Sequence, residues 1–182
     1  MSRSKHKIVL LVGRSGSGKT ALANYLHDQY GWNAVASYTT RQPRYESETG
    51  HTFVNDREFD QLQNIVAYTE FDGHRYCATA DQIDQCDLYV VDVEGVKTLQ
   101  ERYCGSSRIM AVFVDASSGV CMRRMLDRGD GFMATLRRAT NDDRVFSEAK
   151  EYLMENFDSC LSVNNEKPLA EVGDMIYRWA TI

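Results

Sequence analysis

Four largely apolar stretches recur along the chain, and segments with helical hydrophobic spacing separate them. These stretches are Ile8–Val12, Asp87–Asp92, Arg108–Asp115 and Cys160–Val163. Apolar runs without polar alternation are typical of strands that are buried on both faces of a parallel sheet. The pattern therefore predicts an α/β fold in which helices cover both faces of a parallel sheet.

The segments between these strands carry apolar residues at the three-to-four-residue spacing of helices that pack on a core. Gly31 should end the helix that begins at residue 19, and Ser117 or Ser118 should cap the helix that ends near residue 128. The predicted helices span residues 19–29, 94–103, 118–128, 132–155 and 169–179.

A β-rich segment interrupts the alternation of strands and helices. A strand over 33–37 leads into it, residues 51–54 predict a second short strand, and residues 56–63 predict a short helix. Ile65–Phe71 and Arg75–Thr79 predict a hairpin around Asp72-Gly73, because this pair is common in tight turns. A helix over 79–85 ends the segment. We therefore expect a small β-rich insert within the α/β domain.

The first apolar stretch ends in a turn that fits G-x-x-x-x-G-K-[ST], the phosphate-binding loop. Glycines let the backbone curl so that several N–H groups point at one anion, and the next helix directs its positive end there. Lys19 would reach the terminal phosphates of a bound nucleotide, and the Thr20 hydroxyl would ligate Mg²⁺. The residues expected to bind that nucleotide are Gly13, Ser15, Gly16, Ser17, Gly18, Lys19 and Thr20.

A second polar segment, Ser37–Arg44, carries Arg41 and Arg44 three residues apart. The planar fork of arginine suits phosphate, so one interpretation of this segment is a second anion site. The other interpretation is an ordinary exposed loop. Asp92 ends a later strand, where it would hold Mg²⁺ through water or cap the following helix. These two roles of Asp92 are compatible.

Arginines are concentrated in two predicted helices that a glycine-containing segment, 128–132, separates. They are Arg123, Arg124, Arg128, Arg137, Arg138 and Arg144. One interpretation is a mobile lid that closes over polyphosphate and neutralises its charge. The other is a solvated helical hairpin.

The composition favours a soluble, single-domain protein. The chain has 182 residues and a net charge of −5, so nothing global favours nucleic acid or an anionic membrane. Its five cysteines are widely spaced without C-x-x-C, which indicates reduced thiols in a cytoplasmic protein. The apolar run after the basic start is too short for a signal peptide or membrane span. We expect a monomer or homodimer.

From Ile8 onward the chain resembles the guanylate kinase family. Beside the phosphate loop, Ser37–Arg44 is similar to its S-x-T-T-R-x-P-R element, and Gly73–Tyr76 to its G-N-x-Y element. Asp92–Val96 resembles the family's D-[IV]-[DE]-x-Q-G-[AV] stretch, and Val163–Asn165 its V-N-D element. The resemblance implies a P-loop NTPase fold of three αβα layers. Its expected parts are a core (about 1–36, 86–126 and 140–182), a nucleoside-monophosphate-binding insert (about 37–85) and a helical lid (about 127–139).

By that resemblance the protein is a nucleoside monophosphate kinase that uses ATP and Mg²⁺, with GMP as the expected acceptor. Lys19 and the lid arginines Arg128, Arg137 and Arg138 would act on the reacting phosphoryl group. Asn164 would lie beside the adenine, and Thr20 and Asp92 would serve the metal. The residues expected to hold the acceptor are Ser37, Arg41, Arg44, His51, Glu70, Tyr76 and Asp92.

Departures from the family pattern concentrate where the base is read. His51 stands where the family has a phosphate-binding tyrosine, and Ala67 where it has the glutamate that reads guanine. Glu70, three residues later, is the expected replacement if the hairpin shifts its register. Two alternatives therefore stay open: a kinase for another phosphorylated acceptor, such as another nucleotide or a sugar phosphate, and a non-catalytic binding module.

Overall fold

The described residues of this computed structural model, 6–43 and 46–182, form eight strands and eight helices. The strands are β1 (Lys7–Val12), β2 (Ser37–Thr39), β3 (His51–Phe53), β4 (Ile65–Phe71), β5 (His74–Thr79), β6 (Leu88–Val90), β7 (Arg108–Asp115) and β8 (Cys160–Asn164). The helices are α1 (Lys19–Tyr30), α2 (Asp56–Asp60), α3 (Ala80–Gln85), α4 (Val93–Arg102), α5 (Ser118–Asp127), α6 (Phe132–Phe146), α7 (Ala149–Asn156) and α8 (Leu169–Thr181).

The strands form two four-stranded sheets, in the orders β6-β1-β7-β8 and β3-β2-β5-β4. Strands β7 and β8 are parallel, with Ala111 opposite Cys160 and Asp115 opposite Asn164. The predicted α/β class with a parallel sheet core is therefore confirmed. No helix in the described ranges is long and apolar enough to cross a membrane.

One compact unit comprises Val9–Trp32 and Ile109–Ile182. The β1 residues from Val9 onward are almost completely buried, as their uninterrupted apolar pattern requires. Helix α1 packs against α8, where the Tyr25 and Tyr30 hydroxyls donate to one Asp174 oxygen at 2.7 and 2.8 Å.

The other unit comprises the described residues up to Ile8 together with Asn33–Arg108. Its sheet contains the predicted hairpin, β4–β5, and both turn residues, Asp72 and Gly73, have positive φ as this turn requires. Arg75 joins the hairpin to α2: it pairs with Asp56 and Asp60 at 2.7 and 2.6 Å, and its guanidinium lies over the Phe59 ring.

Most predicted element bounds agree with the structure within two residues, and β7 agrees at both ends. The predicted strand over 33–37 is wrong. Of this segment Ala34 forms only an isolated bridge to Leu88, and β2 begins at Ser37. The Asn33 amide is instead bound to the Asp87 carboxylate at 2.9 Å.

The predicted single helix over 132–155 is also wrong, because the chain forms α6 and α7 there. The Ser147 hydroxyl donates to the Arg144 carbonyl at 3.0 Å, a local bond that competes with the helical ladder. Each helix then buries its own apolar anchor, Phe146 in α6 and Leu153 in α7. Likewise α2 ends at Asp60, three residues before its predicted end.

Candidate functional site

The phosphate-loop motif occupies the turn between β1 and α1. The Lys19 ammonium donates to the carbonyls of Gly13 and Arg14 at 2.5 and 2.8 Å, so it lies against the start of the loop. Ser17 is fully buried, and its hydroxyl finds no hydrogen-bond partner among the described residues. A buried hydroxyl in an anion-binding loop fits a nucleotide phosphate, because it can donate to an anionic oxygen.

Arg124 and Asn165 donate hydrogen bonds to the backbone carbonyl of Ser17, in the middle of the loop. The Asn165 amide donates to the Ser17 carbonyl at 2.7 Å, and Arg124 donates to the same oxygen at 3.2 Å. Arg124 also donates to the Asn165 carbonyl at 2.7 Å. Gly18 has φ +95°, and a Cβ there would lie 2.2 Å from the Asn165 amide nitrogen. These contacts fix the Ser17 carbonyl, in the middle of the loop, to Asn165, which follows β8.

Two neighbouring aspartates of α6 hold the first residues of the loop. The Ser15 amide donates to the Asp142 carboxylate at 2.6 Å, and Asp142 is buried. Asp143 pairs with Arg14, and it accepts a hydrogen bond from Ser118. The hydrogen bond from Arg14 is the main reason why the pKa of Asp143 lies below its ordinary value.

The expected lid arginines lie on α6 and just before it. Arg128 donates twice to Asp130, at 3.0 and 2.7 Å, and Arg138 donates to the same carboxylate at 3.0 Å. Arg137 is exposed. Two of the three expected arginines thus meet at one carboxylate of their own segment.

Two further expected nucleotide ligands are exposed. Thr20 lies in the first turn of α1. Asn164 ends β8, and its side chain accepts the Glu166 amide at 2.9 Å. Its neighbour Asn165 is the buried residue that contacts the loop.

The register of the second sheet places three of the expected acceptor residues, Ser37, His51 and Tyr76, on one face. Ser37 lies opposite His51, and Thr39 lies opposite Tyr76. The Ser37 hydroxyl and the His51 Nδ1 atom are 2.9 Å apart, and the His51 and Tyr76 rings have centroids 5.8 Å apart. A hydroxyl, an imidazole and a phenol therefore share this face, which suits recognition of a polar ligand.

Arg41 follows β2 and forms a buried ion pair with Glu48. Its two terminal nitrogens donate to the two carboxylate oxygens at 3.1 and 2.8 Å. Burial alone would lower the pKa of Arg41, but the hydrogen bonds and charge of Glu48 outweigh it, so the pKa is raised. The guanidinium carbon also lies 5.4 Å from the centroid of Phe53. Arg44, the other expected phosphate ligand in this segment, lies outside the described residues.

Glu70 does not join the face that carries Tyr76. Thr69 is the cross-strand partner of Tyr76, so Glu70, one residue later, lies on the opposite face beside Arg75. There it accepts a hydrogen bond from the Tyr68 hydroxyl. Ala67 shares the Tyr76 face and is paired with Ala78, so both side chains at this level of the sheet are methyl groups.

Asp92 caps α4, one of the two roles that its sequence position predicted. Its carboxylate accepts the Gly95 amide at 2.8 Å. Across the described residues, no group of three or more His, Cys, Asp or Glu side chains is arranged to hold a metal ion by itself.

Two residues in these contacts, Glu48 and Asp142, were missed by the sequence reasoning, as was the contact of Asn165 with the loop. Asp142 and Asn165 are 127 and 148 residues from the loop positions that they bind, so no local spacing could reveal these contacts. Glu48 is only seven residues from Arg41. An acid close to a paired-arginine segment is the signal that could have identified it.

Comparisons with known proteins identify relatives of the whole chain. The family model described as guanylate kinase matches residues 5–178. The solved structure of guanylate kinase from Anaplasma phagocytophilum matches with a TM-score of 0.61 and 18% sequence identity, over 97% of this chain and 85% of that chain. At this identity the structural match shows the fold. The comparison with curated proteins gives no match.

Proposed function

Because the chain belongs to the guanylate kinase family, we propose that it transfers a phosphoryl group from ATP to a nucleoside monophosphate. GMP is the first acceptor to test. The observation that carries this proposal is the phosphate loop, whose lysine is present and whose carbonyls are held by Arg124 and Asn165. Because the loop has its lysine and is held in place by these contacts, it favours a catalytic role over that of a non-catalytic binding module.

The donor site is assigned to the loop residues from Gly13 to Thr20, with Asn164 beside the adenine. Lys19 would leave the loop carbonyls for the terminal phosphates, and the loop amides would bind phosphate oxygens. ATP bound with Mg²⁺ supplies the transferable phosphoryl group, and the metal neutralises charge on it. Thr20 would hold the metal, and Asp92 would assist through water.

The acceptor site is assigned to the sheet face that carries Ser37, His51 and Tyr76, together with Arg41 and Arg44. Arg41 and Tyr76 would bind the acceptor phosphate, and Ser37 would contact the remainder of the acceptor. Arg128, Arg137 and Arg138 would exchange their present partners for the reacting group and neutralise its charge. No dedicated base is required, because positioning and charge neutralisation supply most of the rate.

A second candidate is a kinase for a different phosphorylated acceptor, such as another nucleotide or a sugar phosphate. The observation that favours it is the pairing of Ala67 with Ala78, since Ala67 stands where the family has the glutamate that reads guanine. Guanine presents two adjacent N–H donors, which need an acidic acceptor when they are buried. Methyl groups stand at this paired position, and Glu70 lies on the other face.

The test is an acceptor screen that measures ADP production from ATP and Mg²⁺ in a coupled assay. The acceptors are GMP, dGMP, AMP, CMP, UMP, dTMP and phosphorylated sugars. Turnover that is strongest with GMP supports the first candidate, and turnover only with another acceptor supports the second. Binding of ATP without any acceptor-dependent turnover would overturn both and support a binding role.

Lys19→Ala provides the catalytic control for this screen. Removing one donor from a reacting phosphoryl group costs roughly a hundredfold to a thousandfold in kcat. The matched variant is Lys167→Ala, because Lys167 is exposed and forms an ion pair with Glu171 of α8, away from the loop. Lys167→Ala should retain wild-type turnover, and equal loss in both variants would contradict the assignment of Lys19.

A further inference from the structure

Arg41 has five N–H donors: Glu48 and Gln42 accept three of them, and the Tyr76 hydroxyl also interacts with the guanidinium. Glu48 accepts one from each terminal nitrogen, which is the end edge of the guanidinium. The second hydrogen of Nη1 meets the Gln42 carbonyl at 2.7 Å. The side chains of Arg41 and Glu48 are only 12% and 6% exposed, so this pairing is largely shielded from solvent.

The remaining edge of the guanidinium consists of Nε and the second hydrogen of Nη2. These two N–H bonds point to the same side, and their spacing matches two oxygens of a phosphate. The Nε atom is buried and has no hydrogen-bond partner among the described residues. An orphaned charged donor is costly, which indicates that an anionic ligand completes it.

We propose that Glu48 is a positioning residue, which fixes Arg41 by its end edge so that its side edge receives the acceptor phosphate. This inference rests on the proposed function and deepens it, since it assigns how the acceptor phosphate is oriented. Phe53 lies beneath the guanidinium and Tyr76 also interacts with it. Glu48, Phe53 and Tyr76 together limit the rotation of Arg41.

An opposite role for Glu48 makes the opposite prediction. If the Glu48 carboxylate occupied the place of the acceptor phosphate, the acceptor would have to displace it, and removing its charge would tighten binding. A positioning residue behaves differently, because removing it lets the guanidinium rotate and weakens binding. The sign of the change in acceptor affinity therefore distinguishes the two roles.

The experiment compares Glu48→Gln, Glu48→Asp and Glu46→Gln with the wild type. Glu46 is exposed in the same segment, so Glu46→Gln removes an equal charge without touching the ion pair. Calorimetry measures the Kd of ATP and of GMP for each variant. In parallel, ¹⁵N NMR follows the Arg41 Nε–H signal, assigned with Arg41→Lys, while GMP or inorganic phosphate is added.

We expect Glu48→Gln to weaken GMP binding by roughly tenfold to a hundredfold, the range for one charge-assisted hydrogen bond. Its ATP affinity should stay within about twofold of the wild type. The GMP affinity of Glu48→Asp should lie between those of Glu48→Gln and the wild type, because aspartate keeps the negative charge but has a shorter side chain. In the wild type, the Arg41 Nε–H signal should move downfield with either ligand.

Unchanged or tighter GMP binding by Glu48→Gln would overturn the positioning role, as would an Nε–H signal that neither ligand moves. If Glu48→Gln does not fold, Glu48→Asp and the wild-type NMR titration decide in the same way. Failure of the proposed kinase function has a separate signature. In that case no acceptor supports turnover, while inorganic phosphate still moves the Nε–H signal.

Discussion

Replacing Gly13 with alanine tests whether the phosphate loop tolerates any side chain where it leaves β1. A Cβ at Gly13 would lie 2.3 Å from the Val114 carbonyl oxygen and 3.0 Å from the Ser17 hydroxyl. The first distance is about 0.7 Å inside the closest approach that such atoms make. Val114 cannot yield easily, because it lies within β7 and is paired with Val163 of β8.

The cost follows from this overlap. The added methyl group must push β7 or the loop, and forcing an extra carbon into a packed interior costs about 1–3 kcal/mol. We therefore expect Gly13→Ala to lower the free energy of unfolding by about 2 kcal/mol. With a urea dependence of about 2 kcal/mol per molar, the unfolding midpoint should fall by about 1 M.

The assay is urea unfolding followed by circular dichroism, together with ATP binding by calorimetry. Gly119→Ala is the matched control, because a Cβ there meets nothing within 4 Å and the residue lies in α5. Alanine in a helix is favoured over glycine, so this control should be as stable as the wild type or more stable by up to about 1 kcal/mol. Its ATP affinity should not change.

Gly13→Ala should also bind ATP more weakly, because the overlap with Val114 displaces the loop that is proposed to bind the phosphates. A Gly13→Ala protein with an unfolding midpoint within about 0.2 M of the wild type would refute the steric argument. Loss of stability in Gly119→Ala would refute it differently, since the effect would then follow from replacing any glycine in this unit.

Two further predictions concern ionisable groups. The hydrogen bonds from Tyr25 and Tyr30 lower the pKa of Asp174, so their stabilising effect exists above the unfolded pKa of about 4 and is lost as the pH falls. Urea unfolding should therefore show a stability difference between wild type and Asp174→Asn that narrows from pH 7 to pH 3; a constant difference would contradict this. Burial raises the pKa of Cys77 to about 12, so iodoacetamide at pH 8 should modify exposed Cys104 first, as peptide mass spectrometry would show. Rapid modification of Cys77 in the folded protein would be the contrary result.

The features that the sequence predicted well are those that neighbouring residues determine. An uninterrupted apolar run such as that in Arg108–Asp115 is typical of a buried strand. The structure confirms this prediction, because β7 begins and ends at these residues. The turn pair Asp72-Gly73 tolerates positive φ, and the hairpin follows from it. Helix α1 ends before Gly31, whose left-handed conformation caps it.

The features that the sequence did not predict depend on contacts between distant residues. The division between α6 and α7 arises because Phe146 and Leu153 are buried separately, which periodicity alone does not reveal. In the same way, the placement of Glu70 depends on strand register. A shift of one residue would exchange the two faces of β4, so residue spacing alone could not determine which face carries the acid.

The two kinds of recognition proposed here therefore differ in what maintains them. Phosphate recognition uses backbone amides and an arginine whose orientation several contacts fix, so a single substitution elsewhere on the sheet leaves it intact. Base recognition depends on one side chain at one register position, and at Ala67 that side chain is a methyl group. A substitution at the level of Ala67 can therefore change the acceptor while the residues that are proposed to bind phosphate stay in place. On the proposed function, we therefore expect variants at Ala67 to differ in acceptor preference while they keep the affinity of the wild type for ATP.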